Sequence, residues 1–245
     1  MTTDILQLRQ LWREAFGDPE DFLDLFFTHT YAPNRCHTIS IGGKIVSALY
    51  WLDCVLSGER IAYLYAVATA NAFRRQGFCH RLMEDTHARL AQAGYIGSIL
   101  VPGKASLFSF YAGMGYKPCC RLRQWDCRAG AEPAPLRKIT AQEYAALRRT
   151  LLPAGGVLQE GENLALLEKT AVLYAGADFL LAAAAQEGAL LGLELLGNTA
   201  RAPEILNALG KRSGQFRAPG NDRPFAMYRP IRPMPIPSYF AFSFE

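Results

Sequence analysis

One junction constrains this chain more than any other. Residues 61–68 form an apolar run of β-branched, aromatic and small side chains. The segment Asn71-Ala-Phe-Arg-Arg-Gln-Gly-Phe-Cys-His80 follows, and then Leu82, Met83, His87, Leu90 and Ala91. The first run has the make-up of a buried strand. The second recurs at spacings of one, three and four, which places an apolar stripe on one helix face. A strand must therefore turn into a helix across residues 74–79. The first amides of such a helix have no partner inside it and lie at the positive end of its dipole. Gly77 removes a side chain from the turn, Cys79 is small, and Arg74 and Arg75 add positive charge. An anion's oxygens can then approach the amides directly. The expectation is a pyrophosphate cradle built from Arg74, Arg75, Gln76, Gly77, Phe78, Cys79 and His80.

The rest of the chain supplies the frame. Residues 4–16 carry Ile5, Leu8, Leu11, Trp12, Ala15 and Phe16 on one helical face. Asp18 is the expected cap of a second helix that starts at Pro19 and turns Phe22, Leu25 and Phe26 inward. Residues 36–41 and 44–52 read as strands joined by the hairpin pair Gly42-Gly43, with a further short strand at 53–56. After the central helix stops at Gly94, residues 95–101 read as a buried strand closed by Pro102-Gly103. Strand, helix, strand makes a parallel crossover, and ligands of such units bind at the carboxyl ends of the strands. Ser106 is the expected cap of a short helix through Leu107, Phe110, Tyr111 and Met114, and strands at 116–120 and 123–127 are expected to complete the sheet.

Two segments in this order resemble the GCN5-related N-acetyltransferase (GNAT) superfamily. Arg74-x-x-Gly77-x-Cys79 is similar to its (Gln/Arg)-x-x-Gly-x-(Gly/Ala) phosphate loop, with Cys79 as the departure. Phe110-Tyr111-Ala112-Gly113-Met114-Gly115-Tyr116 is similar to the Phe-Tyr-x-x-x-Gly-(Phe/Tyr) segment that follows it. The resemblance implies an α+β fold in which helices flank a mixed, mostly antiparallel twisted sheet. It implies acetyl-CoA as cosubstrate, with its pyrophosphate on the loop and its pantetheine amides on the backbone of Ala66, Val67 and Ala68. It also implies Tyr111 as the general acid that protonates the departing thiolate, an amine acceptor and no metal.

The general base is not carried over. Many relatives place a glutamate on the strand before the loop, where this chain has Tyr63 and Tyr65. Asp53 and Glu59 are nearby candidates, and solvent is a third. His80 and His87 are expected to have surface or packing roles. No residue pattern distinguishes an amino acid, a polyamine, an aminoglycoside or a protein amino terminus as acceptor, and none bears on oligomeric state.

Composition narrows the class. The 245 residues exceed one typical domain, and 50% of them are apolar, enough for a sizeable core. A net charge of +4 without a dense Lys/Arg block argues against nucleic acid and suits an anionic small ligand. The six cysteines form no Cys-x-x-Cys and have no histidine at metal spacing, so reduced thiols in a soluble cytoplasmic protein are expected. No apolar run is long enough to span a membrane.

Beyond Arg128 the character changes. Residues 129–135 read as a linker, so the expected domains are 1–130 and 131–245. Thr140-x-x-Glu143 is a capping box, helical spacing follows at 162–174, and residues 179–185 and 189–196 form a hairpin about Gln186-Glu187-Gly188. A short helix at 203–209 and strands at 215–218, 225–231 and 239–244 complete an order like that of the first half. This resembles a second, smaller and degenerate GNAT-like domain that has lost the phosphate loop and shapes the acceptor pocket. Some tandem relatives use their terminal carboxylate as a base, which makes Glu245 a further candidate. The alternative to an acetyltransferase is a CoA-binding protein without turnover. Cysteine nucleophilic catalysis ranks third, since Cys79 lacks a neighbouring base.

Overall fold

The computed structural model describes residues 3–186 and 188–244. It is a mixed α+β protein that divides into two compact units, residues 1–117 with 227–235 and residues 118–226 with 236–245.

The first unit opens with α1 (Thr3–Phe16) and α2 (Glu20–His29). The hairpin of β1 (Cys36–Ile41) and β2 (Lys44–Leu56) turns at Gly42 and Gly43, both at positive φ. β3 (Glu59–Thr69), α3 (Phe78–Gln92) and β4 (Gly97–Leu100) make the expected crossover, with β3 and β4 parallel. α4 (Ala105–Ala112) and β5 (Lys117–Pro118) follow. The sheet runs β1-β2-β3-β4 and then continues through β13 (Met227–Pro230) to β5. One face of it packs on α3 through Val46, Leu49, Ala62, Leu64, Leu82, Met83 and Leu90.

The second unit holds β6 (Arg121–Arg128), β7 (Arg137–Lys138), α5 (Ala141–Leu151) and α6 (Glu162–Thr170). It continues with β8 (Val172–Ala175), β9 (Phe179–Gln186), β10 (Ala189–Gly197), α7 (Ala202–Ala208), β11 (Ser213–Pro219) and β12 (Arg223–Pro224). Its sheet runs β12-β6-β11-β10-β9-β8-β7. The capping box at Thr140 and Glu143 is present, each side chain bonding the other residue's backbone amide.

Several local expectations are corrected. β2 does not break at Asp53, because Tyr95, Arg60 and Arg35 pair with the carboxylate and let the strand continue. Asp18 does not cap α2; it accepts the Trp12 indole N–H at 2.7 Å instead, and the cap position is Pro19. Lys104, not Ser106, precedes the first turn of α4. Helical spacing at 162–174 ends at Thr170, and the remainder enters β8.

The larger corrections concern partners. β6 pairs antiparallel with β11 from Ser213↔Arg128 to Pro219↔Leu122, so it belongs to the second sheet and not to the first. β13 pairs antiparallel with β4 from Met227↔Leu100 to Pro230↔Gly97, so the strand expected at 225–231 completes the first sheet. The segment 239–244 is no ladder strand; it meets Gly156 in a single bridge at Tyr239. The Gln159 side-chain amide holds it there, donating to the Phe242 carbonyl at 2.9 Å and accepting from the Ala241 and Phe242 amides at 3.1 Å. Glu187, which follows β9 in sequence, lies outside the described residues, as does Glu245.

Candidate active site

The site grows from an irregularity in β3. Ala48 pairs with Ala68 and Tyr50 with Tyr65, so Leu49 alone faces both Ala66 and Val67. This is a β-bulge, and Ala66 takes the left-handed conformation that it requires, φ +48°. Such an alanine is strained and is held by its surroundings. The end of the strand is tied down by Ser47, whose Oγ donates to the Ala68 carbonyl at 2.8 Å and lies 2.8 Å from Thr69 Oγ1. On its other side β3 pairs with β4 at Ala62↔Ser98 and Tyr63↔Ile99. The bulge therefore lies past the last registered pair of that ladder, and the backbone of Ala66, Val67 and Ala68 on the β4 side is outside it.

The loop after the strand displays amides. Arg75 and Gly77 both sit at positive φ, +61° and +81°, with Gly77 as the residue before α3. Alternation of this kind turns successive N–H groups toward one side and forms an anion-binding concavity. No side chain caps the helix, and no acidic residue occupies its first turn. Arg81 N bonds the Gly77 carbonyl, so the amides of Phe78, Cys79 and His80 stand ahead of the first helical bond. The loop's own side chains hold it in this shape. Arg74 Nε donates to the Thr69 carbonyl and Gln76 Nε2 to the Ala72 carbonyl, each at 3.0 Å. Phe73 packs edge-on to Phe78 beneath the loop, ring centroids 5.9 Å apart. Arg74, Arg75, Gln76, Gly77 and His80 are exposed, and Phe78 and Cys79 are half-buried.

Tyr111 lies on α4 and is buried, while its neighbour Phe110 is 44% exposed. Its ring belongs to one apolar cluster with Leu64, Leu82 and Met83, against which Val67, Phe78 and Cys79 pack. The bulge, the start of α3 and Tyr111 are thus gathered into one cluster. Cys79 keeps its proton: burial pushes its thiol up to about 11.

Behind Tyr111 is a polar group that sequence reasoning missed. Tyr116 stands edge-on to Tyr111 at 6.0 Å, and its hydroxyl lies 2.9 Å from His87 Nε2 and 2.6 Å from Ser98 Oγ. Burial pushes His87 down to about 4 and the Tyr116 phenol up. Arg229 of β13 makes a two-pronged bond to Glu84 on α3, at 2.6 and 3.0 Å. His87 on the inner face of α3 was the only signal of this group, since Ser98, Tyr116 and Arg229 come from separate strands and turns.

The candidate bases are placed elsewhere. Asp53 pairs in register with Ala62, roughly 13 Å along β3 from the bulge. It accepts from the Tyr95 hydroxyl and pairs with Arg60 and Arg35 at 3.5 and 3.7 Å. Glu59 starts β3 and pairs with Arg232 at 2.6 Å. The structure does not bring either carboxylate to the bulge and loop. Glu245 lies outside the described residues. Tyr65, next to the bulge, points into an aromatic group with Trp12, Phe26 and Tyr63. Among the described residues, no three His, Cys, Asp or Glu side chains are placed to hold a metal ion. No helix among them is long and apolar enough to cross a membrane.

Comparison with known proteins bears on the fold. A search of curated protein sequences gives no match. Solved structures share the fold at low identity. A GCN5-related N-acetyltransferase from Kribbella flavida superposes with a TM-score of 0.71 at 19% identity, covering 94% of this chain and 69% of that one. One from Anabaena variabilis gives 0.71 at 16%, covering 95% and 71%. Eis1 from Mycobacterium abscessus gives 0.69 at 13%, covering 94% and 72%. Residues 1–119 match the family described as the acetyltransferase (GNAT) domain. That match spans 119 of the 245 residues, so the amino-terminal segment matches the GNAT acetyltransferase domain and the solved structures share its fold.

Proposed function

We propose that the chain transfers an acetyl group from acetyl-CoA to a primary amine by direct attack. The observation that carries this reading is the uncapped amino terminus of α3, with Arg75 and Gly77 at positive φ, in one cluster with the β3 bulge and Tyr111. In this reading the amides of Phe78, Cys79 and His80, with Arg74 and Arg75, hold the pyrophosphate. The backbone of Ala66, Val67 and Ala68 pairs with the pantetheine amides, since backbone groups outside a ladder seek partners. A neutral amine attacks the thioester carbonyl, and the bond to sulfur breaks. Tyr111 gives its proton to the thiolate, because a thiol of ordinary pKa about 8.5 leaves more readily protonated. With Asp53 and Glu59 held in ion pairs away from the loop, the amine loses its proton to solvent.

Thiol release from acetyl-CoA with a panel of amines tests the activity. Replacing Tyr111 with Phe should lower turnover by about 100-fold or more while acetyl-CoA affinity stays within about twofold. Unaltered turnover in that variant removes Tyr111 from the mechanism. A second reading, acetyl-CoA binding without turnover, is favoured by the ion pairing of Asp53 and Glu59. Binding in calorimetry with no thiol released to any amine would establish it in place of the first.

A further inference from the structure

The second unit contains a chemical group for which acetyl transfer has no use. Cys119 and Cys120 are adjacent in sequence, and their sulfurs lie 3.4 Å apart. Adjacent residues of an extended chain point their side chains to opposite faces, so this convergence is not the default. The backbone here has left β5 and has not yet begun β6. It is pinned there: Cys119 N donates to the Ala226 carbonyl at 3.0 Å, and the Cys120 carbonyl accepts from Phe225 N at 2.9 Å. Each thiol also has a carbonyl near it, Ala226 O at 3.5 Å from Cys119 Sγ and Pro237 O at 3.6 Å from Cys120 Sγ. Neither sulfur is in a disulfide. Cys119 is partly exposed and Cys120 is buried beside it, so the pair has one open side.

The spacing selects what can join the two sulfurs. A direct bond needs about 2.05 Å and would close a tight ring through one peptide unit. A bridging atom needs no such closure. With bonds of about 2.3 Å to each thiolate, as zinc makes, a sulfur separation of 3.4 Å subtends about 95° at the bridging atom. Linear two-coordinate centres would need the sulfurs about 4.6 Å apart on the same bond length. The angle suits a pyramidal, thiophilic, trivalent centre.

We propose that Cys119 and Cys120 form a vicinal dithiol site for trivalent arsenicals. The thiolate of Cys119, the accessible member, attacks arsenic, and the oxide oxygen takes up the proton. The Cys120 sulfur then displaces the resulting hydroxide, which leaves as water with the second thiol proton. Two arsenic–sulfur bonds form, both arsenic–oxygen bonds break, and arsenic stays trivalent. Cys36, Cys54, Cys79 and Cys127 have no cysteine next to them in sequence, and a monothiol competitor strips arsenic from thiols that bind it singly.

The test uses the reduced full-length chain and phenylarsine oxide. After treatment and a wash with excess glutathione, intact mass should show one phenylarsenic group per chain, released by a small dithiol. Cys119→Ser and Cys120→Ala should each lose at least about nine-tenths of this retention, with circular dichroism confirming that both variants fold. Cys120→Ser provides a second probe should the alanine variant not fold. Failure of the wild-type chain to retain arsenic, or retention by any of these folded variants at the wild-type level, overturns the proposal.

Discussion

The parallel crossovers β3–α3–β4 and β10–α7–β11 share a plan and differ where it matters. In each, the first strand pairs antiparallel with the strand before it and parallel with the strand after the helix. In each, an antiparallel strand from the other half of the sequence flanks the second strand, β13 beside β4 and β6 beside β11. The helix amino termini are opposites. α3 begins uncapped, with no carboxylate in its first turn. α7 has only seven residues, carries Pro203 and Glu204 at its start, and follows Asn198, whose side chain takes the Ala200 amide. Arg201 is engaged by both Asp178 and Glu204. The ring of Phe216 also fills the space above Gly192, where a Cβ would come within 2.6 Å of it. The two helix starts therefore differ in which amides are left unsatisfied, a difference that shared topology does not remove.

The units also bury polar groups of different kinds. The first buries the neutral set His87, Ser98 and Tyr116. The second buries an ion pair: Arg148 grips Glu194 at 2.8 and 3.0 Å, Tyr144 donates to the same carboxylate, and Arg148 Nη1 donates to the Val157 carbonyl at 3.1 Å. Replacing Glu194 with Ala should cost about 3–5 kcal/mol by denaturant unfolding, because it strands a buried guanidinium. A loss below about 1 kcal/mol would mean that water reaches Arg148 and that the two networks differ less than their chemistry indicates.

The neutral set predicts an acid-side effect. His87 sits at about 4 in the folded chain, against an ordinary 6.5 when unfolded. Between those values the unfolded chain binds a proton that the folded chain does not. Stability from this group is therefore complete above pH 6.5 and is lost as pH falls toward 4. The full loss is roughly 3 kcal/mol. His37, also lowered by burial, adds in the same direction. Urea midpoints of the parent and of His87→Gln between pH 7 and pH 4.5 should diverge in slope, the variant being flatter; equal slopes would place the acid sensitivity in other groups.

The loop comparison can be sharpened directly. Gly77→Asp puts a carboxylate at the head of α3 and a side chain at positive φ, and should weaken acetyl-CoA binding by about tenfold or more. The reciprocal change, Glu204→Gln, should leave calorimetric stoichiometry at one site per chain, because Pro203 still lacks an amide proton. A second site in that variant would show that one carboxylate was all that closed α7. The smallest expected effect is in the capping box, where Thr140→Ala should cost about 1 kcal/mol, visible as a lowered unfolding midpoint.

Much of this was legible in the residues, and the reason is locality. The Gly42-Gly43 hairpin, the span of α3, the capping box of α5 and the left-handed Gly77 are decided within a few residues, by turn geometry and apolar period. The loop and Tyr111 were singled out on the same terms, since each is a short segment with a resemblance to known ones, and the structure packs both against one apolar cluster. The strained Ala66 was not, because nothing in an alanine announces positive φ. Asp53 and Glu59 looked available in the sequence only because their partners, Tyr95, Arg60 and Arg232, are strand neighbours or distant residues.

The sequence by itself determined most of the elements and the crossover β3–α3–β4, because these depend on backbone preferences and on the period of side chains along one segment. Tertiary structure alone decided that β6 leaves the first sheet for the second and that β13 takes a place in the first. It alone joined Arg148 to Glu194, set Tyr116 behind Tyr111 and brought two adjacent sulfurs together. An alternating strand offers the same hydrogen-bonding edge to any partner, and a polar side chain acquires a role only from the group it finds when the chain closes.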